Sequence, residues 1–221
     1  MTRTWFTSDH HLGHEKIISL SGRPFETVEE MNSVLIERHN AVVGKNDLVW
    51  VLGDVAMGAI AETLPLWARF NGKKILVSGN HDRTFAGAQT DPALRARWVS
   101  AYKEQGGFQH VVTGAGWLNT SPRFRTPLLI PRIGGPFGPT VQVSHFPYSG
   151  ESDGGRADRY ASSRPKPWRP GPKEPYPWLL HGHVHERWCV EGDMINVGVD
   201  VWDFRPVEDE VVAALIEGGP Q

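Results

Sequence analysis

A chain of 221 residues is long enough for one sizeable core, and its formal charge of −2 argues against a protein that coats long nucleic acid through charge alone. The only cysteine, Cys189, excludes an intramolecular disulfide framework and a cysteine-rich metal site, and fits a reducing compartment. No apolar run approaches the ~20 residues needed to cross a bilayer, and Met1 to Trp5 lack the apolar core of a signal peptide, so the expected location is cytoplasmic, with no membrane partner.

Thr4 to Thr7 is β-prone and stops at Ser8-Asp9-His10-His11-Leu12-Gly13-His14, which predicts a strand delivering a polar cluster at its end. Thr27 with Glu30 is a capping box, and Val28, Met31, Leu35 and Val42 then recur at helical spacing, so an amphipathic helix is expected through Val43. Asp47 to Leu52 is a nearly continuous apolar run, as a buried strand requires, and it ends in Gly53-Asp54. Residues 59 to 70 read as a helix kinked or broken at Pro65. Lys73 to Val77 is the next buried strand, running into Gly79-Asn80-His81-Asp82. Asp91 before Pro92 places an N-cap ahead of a helix over Ala93 to Gln105, which Gly106-Gly107 stops.

From Phe108 the period becomes extended: Val111-Val112, Leu128-Leu129-Ile130 and Val141-Gln142-Val143 read as short strands, the last ending at Ser144-His145. Gly150 to Pro177 differs in kind, with prolines crowded between Pro165 and Pro177 among Arg156, Arg159, Arg164, Lys166, Arg169 and Lys173, and should be an irregular or extended insertion. Trp178-Leu179-Leu180 then runs into His181-Gly182-His183-Val184-His185. Arg187 to Val190 and Met194 to Val199 look like a hairpin turned at Glu191-Gly192-Asp193, and Glu208 to Ile216, just after Pro206, reads as a closing helix. With no internal repeat, residues 1–221 are expected to form one domain carrying an insertion at about 150–177.

Five segments share one grammar, an apolar run followed by a turn that carries Asp, Asn or His. They are Asp9-x-His11, Gly53-Asp54, Gly79-Asn80-His81-Asp82, His145 and Gly182-His183-x-His185. Any one of them could be an ordinary loop, since Gly and Asn tolerate positive φ. Together they are hard to dismiss as independent coincidences. In an extended segment residues i and i+2 face the same side, so Asp9 with His11, and His183 with His185, could each aim two groups into one space. Asp9, His11, Asp54, Asn80, His145, His183 and His185 are seven sulfur-free donors, too many for one ordinary site and suited to two divalent ions sharing a carboxylate: Mn²⁺, Fe²⁺, Zn²⁺ or Ni²⁺.

These ordered motifs, spanning residues 9 to 185, closely resemble those of the calcineurin-like metallophosphoesterase family, and Asn196-Val197-Gly198-Val199-Asp200 is similar to what its small bacterial and phage members carry. The resemblance implies an α/β fold, a two-sheet β-sandwich flanked by helices, with a dinuclear site at the strand ends and manganese as the expected metal. Carried over position by position, Asp9, His11 and His185 would hold one metal, Asn80, His145 and His183 the other, and Asp54 would bridge them. His81 would be the non-ligating histidine near the substrate, with Asp82 oriented to support it. Two such ions would clamp phosphoryl oxygens and acidify a bridging water for attack at phosphorus, while His81 would protonate the departing alkoxide or stabilise the charge that builds on it.

The expected activity is hydrolysis of phosphodiesters such as cyclic nucleotides, small diesters or nucleic-acid ends. Phosphomonoester or protein phosphatase activity of the same family is one alternative, and a metal-bound scaffold with vestigial activity, its insertion binding a partner, is the other. The candidate substrate contacts are His14, which flanks Asp9 and His11, and Arg156, Arg159 and Arg164, because the insertion lies between two expected ligands, His145 and His183. His10 and His14 read as outer-layer or substrate-facing groups, His181 as a strand-end residue or a partner to a ligand, and His39 and His110 as surface or polar-packing residues. Trp5, Trp50 and Trp67 are assigned to the core, while Trp168 and Trp178 anchor the insertion or stack a base.

Overall fold

The computed structural model describes residues 2–113, 117–119, 125–127, 129–130, 141–149, 160–165 and 178–219. The first sheet contains β1 (Thr4–Thr7), β2 (Leu48–Val51), β3 (Lys73–Val77) and β4 (Phe108–Val112), adjacent in that order and all parallel. A small antiparallel pair follows, β5 (Trp117–Asn119) with β6 (Arg125–Pro127). The second sheet is built from β7 (Leu129–Ile130), β8 (Val141–Val143), β9 (Leu179–His181), β10 (Val190–Glu191) and β11 (Met194–Asn196), in the spatial order β10-β11-β9-β8-β7. The last strand, β12 (Val207–Glu208), returns antiparallel to the edge of β1. The expected hairpin pairs over these shorter bounds, and Glu208 belongs to β12 rather than to the closing helix.

The strands of the first sheet serve two cores, which is why β2 is apolar throughout and β3 ends in Ile75-Leu76-Val77. Trp5, Val49, Val51 and Leu76 face one cluster, built with Ile17, Met31, Leu35, Trp67, Tyr102 and Phe108. Phe6, Leu52 and Val77 face the other way, meeting Val143, Leu180 and Ile195 of the second sheet. The result is a β-sandwich with helices over the outer face of the first sheet. Those helices are α1 (Glu15–Leu20), α2 (Val28–Val42), α3 (Ile60–Thr63) and α4 (Pro92–Glu104); the last, α5 (Asp209–Glu217), adds Val212 to the inter-sheet core.

The caps are those the sequence predicts. Thr27 Oγ1 accepts from Glu30 N at 3.1 Å, and Asp91 Oδ1 accepts from Ala93 N at 2.8 Å. Pro65 ends regular helix as expected, α3 giving way to a 3₁₀ segment over Leu64–Arg69. The short helix α1 has no counterpart in the sequence reading, because six residues are too few to show a helical period. Trp5 and Trp67 are buried, and Trp50 and Trp178 are partly buried against the inter-sheet core, Trp178 thus anchoring the end of the insertion. Trp168 and Leu128 lie outside the described residues. Among the described residues no helix is long and apolar enough to cross a membrane.

Candidate metal centre

The loops that leave β1, β2 and β9 are the most strained part of the described backbone. Seven non-glycine residues have positive φ, and five of them are expected ligands: Asp9 (59°), His11 (51°), Asp54 (54°), His183 (74°) and His185 (52°). A left-handed conformation costs a residue with a Cβ on the order of 1–3 kcal/mol and persists only where its surroundings hold it. Asp9 and His11, and likewise His183 and His185, are therefore placed by paired left-handed turns and not by the alternation of an extended segment. Asp9 and His11 do face one space, but His183 and His185 part, His185 toward Asp9 and His11 and His183 toward Asp54 and His145.

The holding is done by backbone. Asp9 N donates to Gly53 O at 3.1 Å, His11 N to Asp54 O at 3.0 Å and Leu12 N to Val55 O at 3.2 Å, so the loops after β1 and β2 run side by side. His183 N donates to Asp9 Oδ2 at 2.9 Å, which ties the second sheet to the first. Gly53 and Gly79 let the next pair of loops touch: a Cβ on Gly53 would lie 2.6 Å from Gly79 N and 2.7 Å from His145 Nδ1.

These turns bring the donors into two adjoining groups. Ligand atoms of Asp9, His11 and His185 all lie within 4.8 Å of one another, and so do those of Asp54, His145 and His183. Asp54 Oδ2 stands between the groups, 3.6 Å from His11 Nε2 and 3.4 Å from His145 Nε2. Asn80 Oδ1 is 2.9 Å and His183 Nδ1 3.3 Å from the same His145 nitrogen. His145 Nδ1 donates to Leu52 O at 2.7 Å, which turns Nε2 toward the other donors.

The donor set fits divalent cations. Asp9 Oδ1 and both ring nitrogens of His11 are buried without a hydrogen-bond partner, although burying such atoms unpaired is costly. Burial opposes a charged imidazole at His145, yet the carboxylates of Asp54 and Asp9 push it up to about 9, so the field at this point favours positive charge. Burial holds His11 well below its usual value, leaving a neutral ring able to donate a lone pair.

The calcineurin-like phosphoesterase family model matches residues 2–187. The chain belongs to that family. The Gene 66 protein of Mycobacterium phage L5 is 31% identical over 220 residues, covering 96% of this chain and 93% of its own length. That of phage D29 is 32% identical over 229 residues, covering 99% and 100%. A solved protein of unknown function from Aquifex aeolicus shares the fold, with a TM-score of 0.62 at 22% identity over 97% of this chain and 100% of its own.

His81 stands beside the donors but outside their two groups. Its ring is 41% exposed, its Nε2 is 4.0 Å from Asp54 Oδ2, and its N–H donates to Asp54 Oδ1 at 2.9 Å. His14 lies at the same rim, its ring 5.5 Å from that of His11. Asp82 does not support His81. It is buried beneath the turn, accepting from Asp54 N at 2.9 Å, Val55 N at 3.1 Å and Gly79 N at 2.8 Å. Three N–H groups converge on it, so the carboxylate closes the loops together instead of orienting an imidazole. His10 turns away from the site into the core, 4.6 Å from the Trp67 ring and 5.5 Å from that of Phe70, so it is no substrate-facing group.

His181 ends β9, donating from Nδ1 to Gly182 O at 2.7 Å and packing on Trp188. His39 is fully buried and His110 is exposed on β4. Of the insertion, Arg156 and Arg159 lie outside the described residues. Arg164 belongs to the described piece 160–165, where Tyr160 packs 5.5 Å from the His183 ring and so brings that piece against the second donor group.

One pair escapes sequence reasoning. Arg23, buried, gives Nε to Asp200 Oδ1 at 2.7 Å and Nη2 to Asp200 Oδ2 at 2.9 Å, while Nη2 and Nη1 also reach the carbonyls of Asp9 and His10 at 2.6 and 3.0 Å. Asp200 Oδ2 lies 3.4 Å from His185 Nδ1. The pair thus touches two members of the first donor group. Asp200 falls in the Asn196-to-Asp200 stretch already noted, but Arg23 stands in a turn with neither period nor motif to mark it.

Proposed function

We propose that this phosphoesterase is a dinuclear, manganese-dependent phosphodiesterase. Asp9, His11 and His185 hold one ion, Asn80, His145 and His183 the other, with Asp54 between them. The single observation that carries the reading is the junction at Asp54 Oδ2, within 3.6 Å of a histidine from each donor group. Nitrogen and oxygen donors without sulfur suit a hard to borderline ion, and Fe²⁺, Zn²⁺ or Ni²⁺ could serve in place of Mn²⁺.

When bound, such a pair polarises the phosphoryl oxygens and supplies a nucleophile at neutral pH. The remaining work falls to the chain. The His81 backbone is fixed by its bond to Asp54, while its exposed ring is free to meet a substrate. Its Nε2, protonated, gives a proton to the leaving oxygen and so removes the charge that builds there. The preference for a diester is part of this proposal; Arg23, buried with both arms committed to Asp200 and to backbone carbonyls, takes no part in it.

Turnover of bis-4-nitrophenyl phosphate and of 4-nitrophenyl phosphate, with added Mn²⁺ and with chelator, tests the reading. Faster, chelator-sensitive cleavage of the diester is expected. Preference for the monoester overturns the diesterase assignment, and turnover undiminished in metal-depleted protein overturns the metal dependence.

A further inference from the structure

A cavity of about 290 Å³ opens beside the donor groups, lined in part by Met57, Ile60, Asn80, His81, Arg83 and Gln89. Asn80 and His81 stand at the edge shared with the donor groups. A substituent on the oxygen that His81 protonates therefore enters this space.

The walls are of two kinds. Met57 and Ile60 present apolar surface, and the methionine can adapt to a flat ring. Opposite in character is Arg83, an exposed guanidinium that forms no ion pair with any described carboxylate. Its backbone is fixed, Arg83 N donating to Tyr102 Oη at 3.1 Å, and the turn beyond it is closed by Gln89 N donating to Phe85 O at 2.8 Å. A guanidinium that lines a cavity and pairs with no described carboxylate can take an anion there, and it matches phosphate oxygens in pairs. The volume lies at the lower limit for small-molecule sites, about 300 Å³, which suits one nucleoside and not a longer chain.

We propose that this cavity is the leaving-group subsite for a linear phosphodiester whose leaving nucleoside carries a second phosphate, its base against Met57 and Ile60 and its phosphate on Arg83. The proposal rests on the diesterase reading above and narrows it. A cyclic nucleotide keeps its leaving oxygen on the same ribose and would leave the cavity unfilled.

The test compares a plain thymidine dinucleotide with its 5′-phosphorylated and 3′-phosphorylated forms, with Mn²⁺, identifying the leaving nucleoside from the products. The form whose leaving nucleoside bears the extra phosphate should show kcat/KM about tenfold or more above the plain dinucleotide, as a charge-assisted hydrogen bond implies. Arg83→Gln should bring that ratio to about one, and Arg83→Lys should restore part of it. A ratio near one in the wild-type protein, a ratio that survives Arg83→Gln, or no dinucleotide cleavage by a protein that turns over bis-4-nitrophenyl phosphate each overturns the subsite. Absence of diester turnover of any kind instead marks failure of the diesterase reading beneath it.

Discussion

Asp82 accepts the backbone N–H of Asp54 on Oδ2 at 2.9 Å, and the same carboxylate takes the N–H groups of Val55 and Gly79. Asp54 and Asp82 come from loops after different strands, so this contact sets how far the end of β2 stands from the turn that carries Asn80 and His81. Asp82→Asn keeps the shape but turns an NH₂ toward N–H groups that need an acceptor. It should lose about 1–3 kcal/mol of stability in chelator, read from urea unfolding, and bind fewer than two Mn²⁺. Unchanged stability and a full complement of metal would remove Asp82 from this role.

Much of the layout was legible because the physics behind it is local in sequence. Buried strands show as apolar runs, caps as Thr27 with Glu30 and Asp91 before Pro92, and the donors as polar residues placed where the runs stop. What could not be read was direction. Asp82 follows His81 in sequence but points beneath the turn, and the left-handed φ of Asp9 and His11 replaces the alternation that their spacing suggested. Arg23 and Asp200 are 177 positions apart, a relation that no local pattern encodes.

The strain at the donors has a measurable sign. At Asp54, with φ of 54°, glycine accepts the backbone that alanine resists. In chelator Asp54→Gly should therefore be more stable than Asp54→Ala by about 1 kcal/mol, although both lose the bond to His81 N and both lose metal. The opposite order in denaturant unfolding would show that the left-handed turn relaxes once the carboxylate is gone.

The Arg23 and Asp200 pair is buried, so removing one partner strands the other. Asp200→Asn should cost on the order of 3 kcal/mol in denaturant unfolding and lower the bound metal toward one ion, because His185 loses the carboxylate 3.4 Å from its Nδ1. Replacing both members, Arg23→Met with Asp200→Leu, should recover stability without recovering the metal. Two ions retained by Asp200→Asn would refute the link to His185.

Burial is the main cause that pulls His39 down to about 4, with Lys74 adding to it and the bond to Asn71 O, 3.0 Å from Nε2, opposing it. A histidine depressed in the fold binds fewer protons there than when unfolded. Its stability contribution is therefore complete above pH 6.5 and is lost as pH falls toward 4, amounting to on the order of 3 kcal/mol. His39→Gln can keep the bond to Asn71 and does not titrate. In chelator its urea midpoint should fall less between pH 7 and 4.5 than that of the wild type, and parallel curves would mean that other groups carry the acid sensitivity.

The His81 backbone N–H donates to Asp54 Oδ1 at 2.9 Å, and its ring, 41% exposed and 4.0 Å from Asp54 Oδ2, stands outside both donor groups, so losing the ring removes no donor. His81→Ala should keep two ions and unfold at the wild-type urea midpoint while losing rate by about 10²–10⁴. The loss should depend on the ester. An aryl oxide such as 4-nitrophenolate leaves without help, whereas an alkoxide needs the proton, so a dinucleotide should suffer far more than bis-4-nitrophenyl phosphate. An equal loss on both esters would show that His81 stabilises charge at phosphorus instead of protonating the leaving group, and loss of metal would show that its side chain belongs among the donors after all.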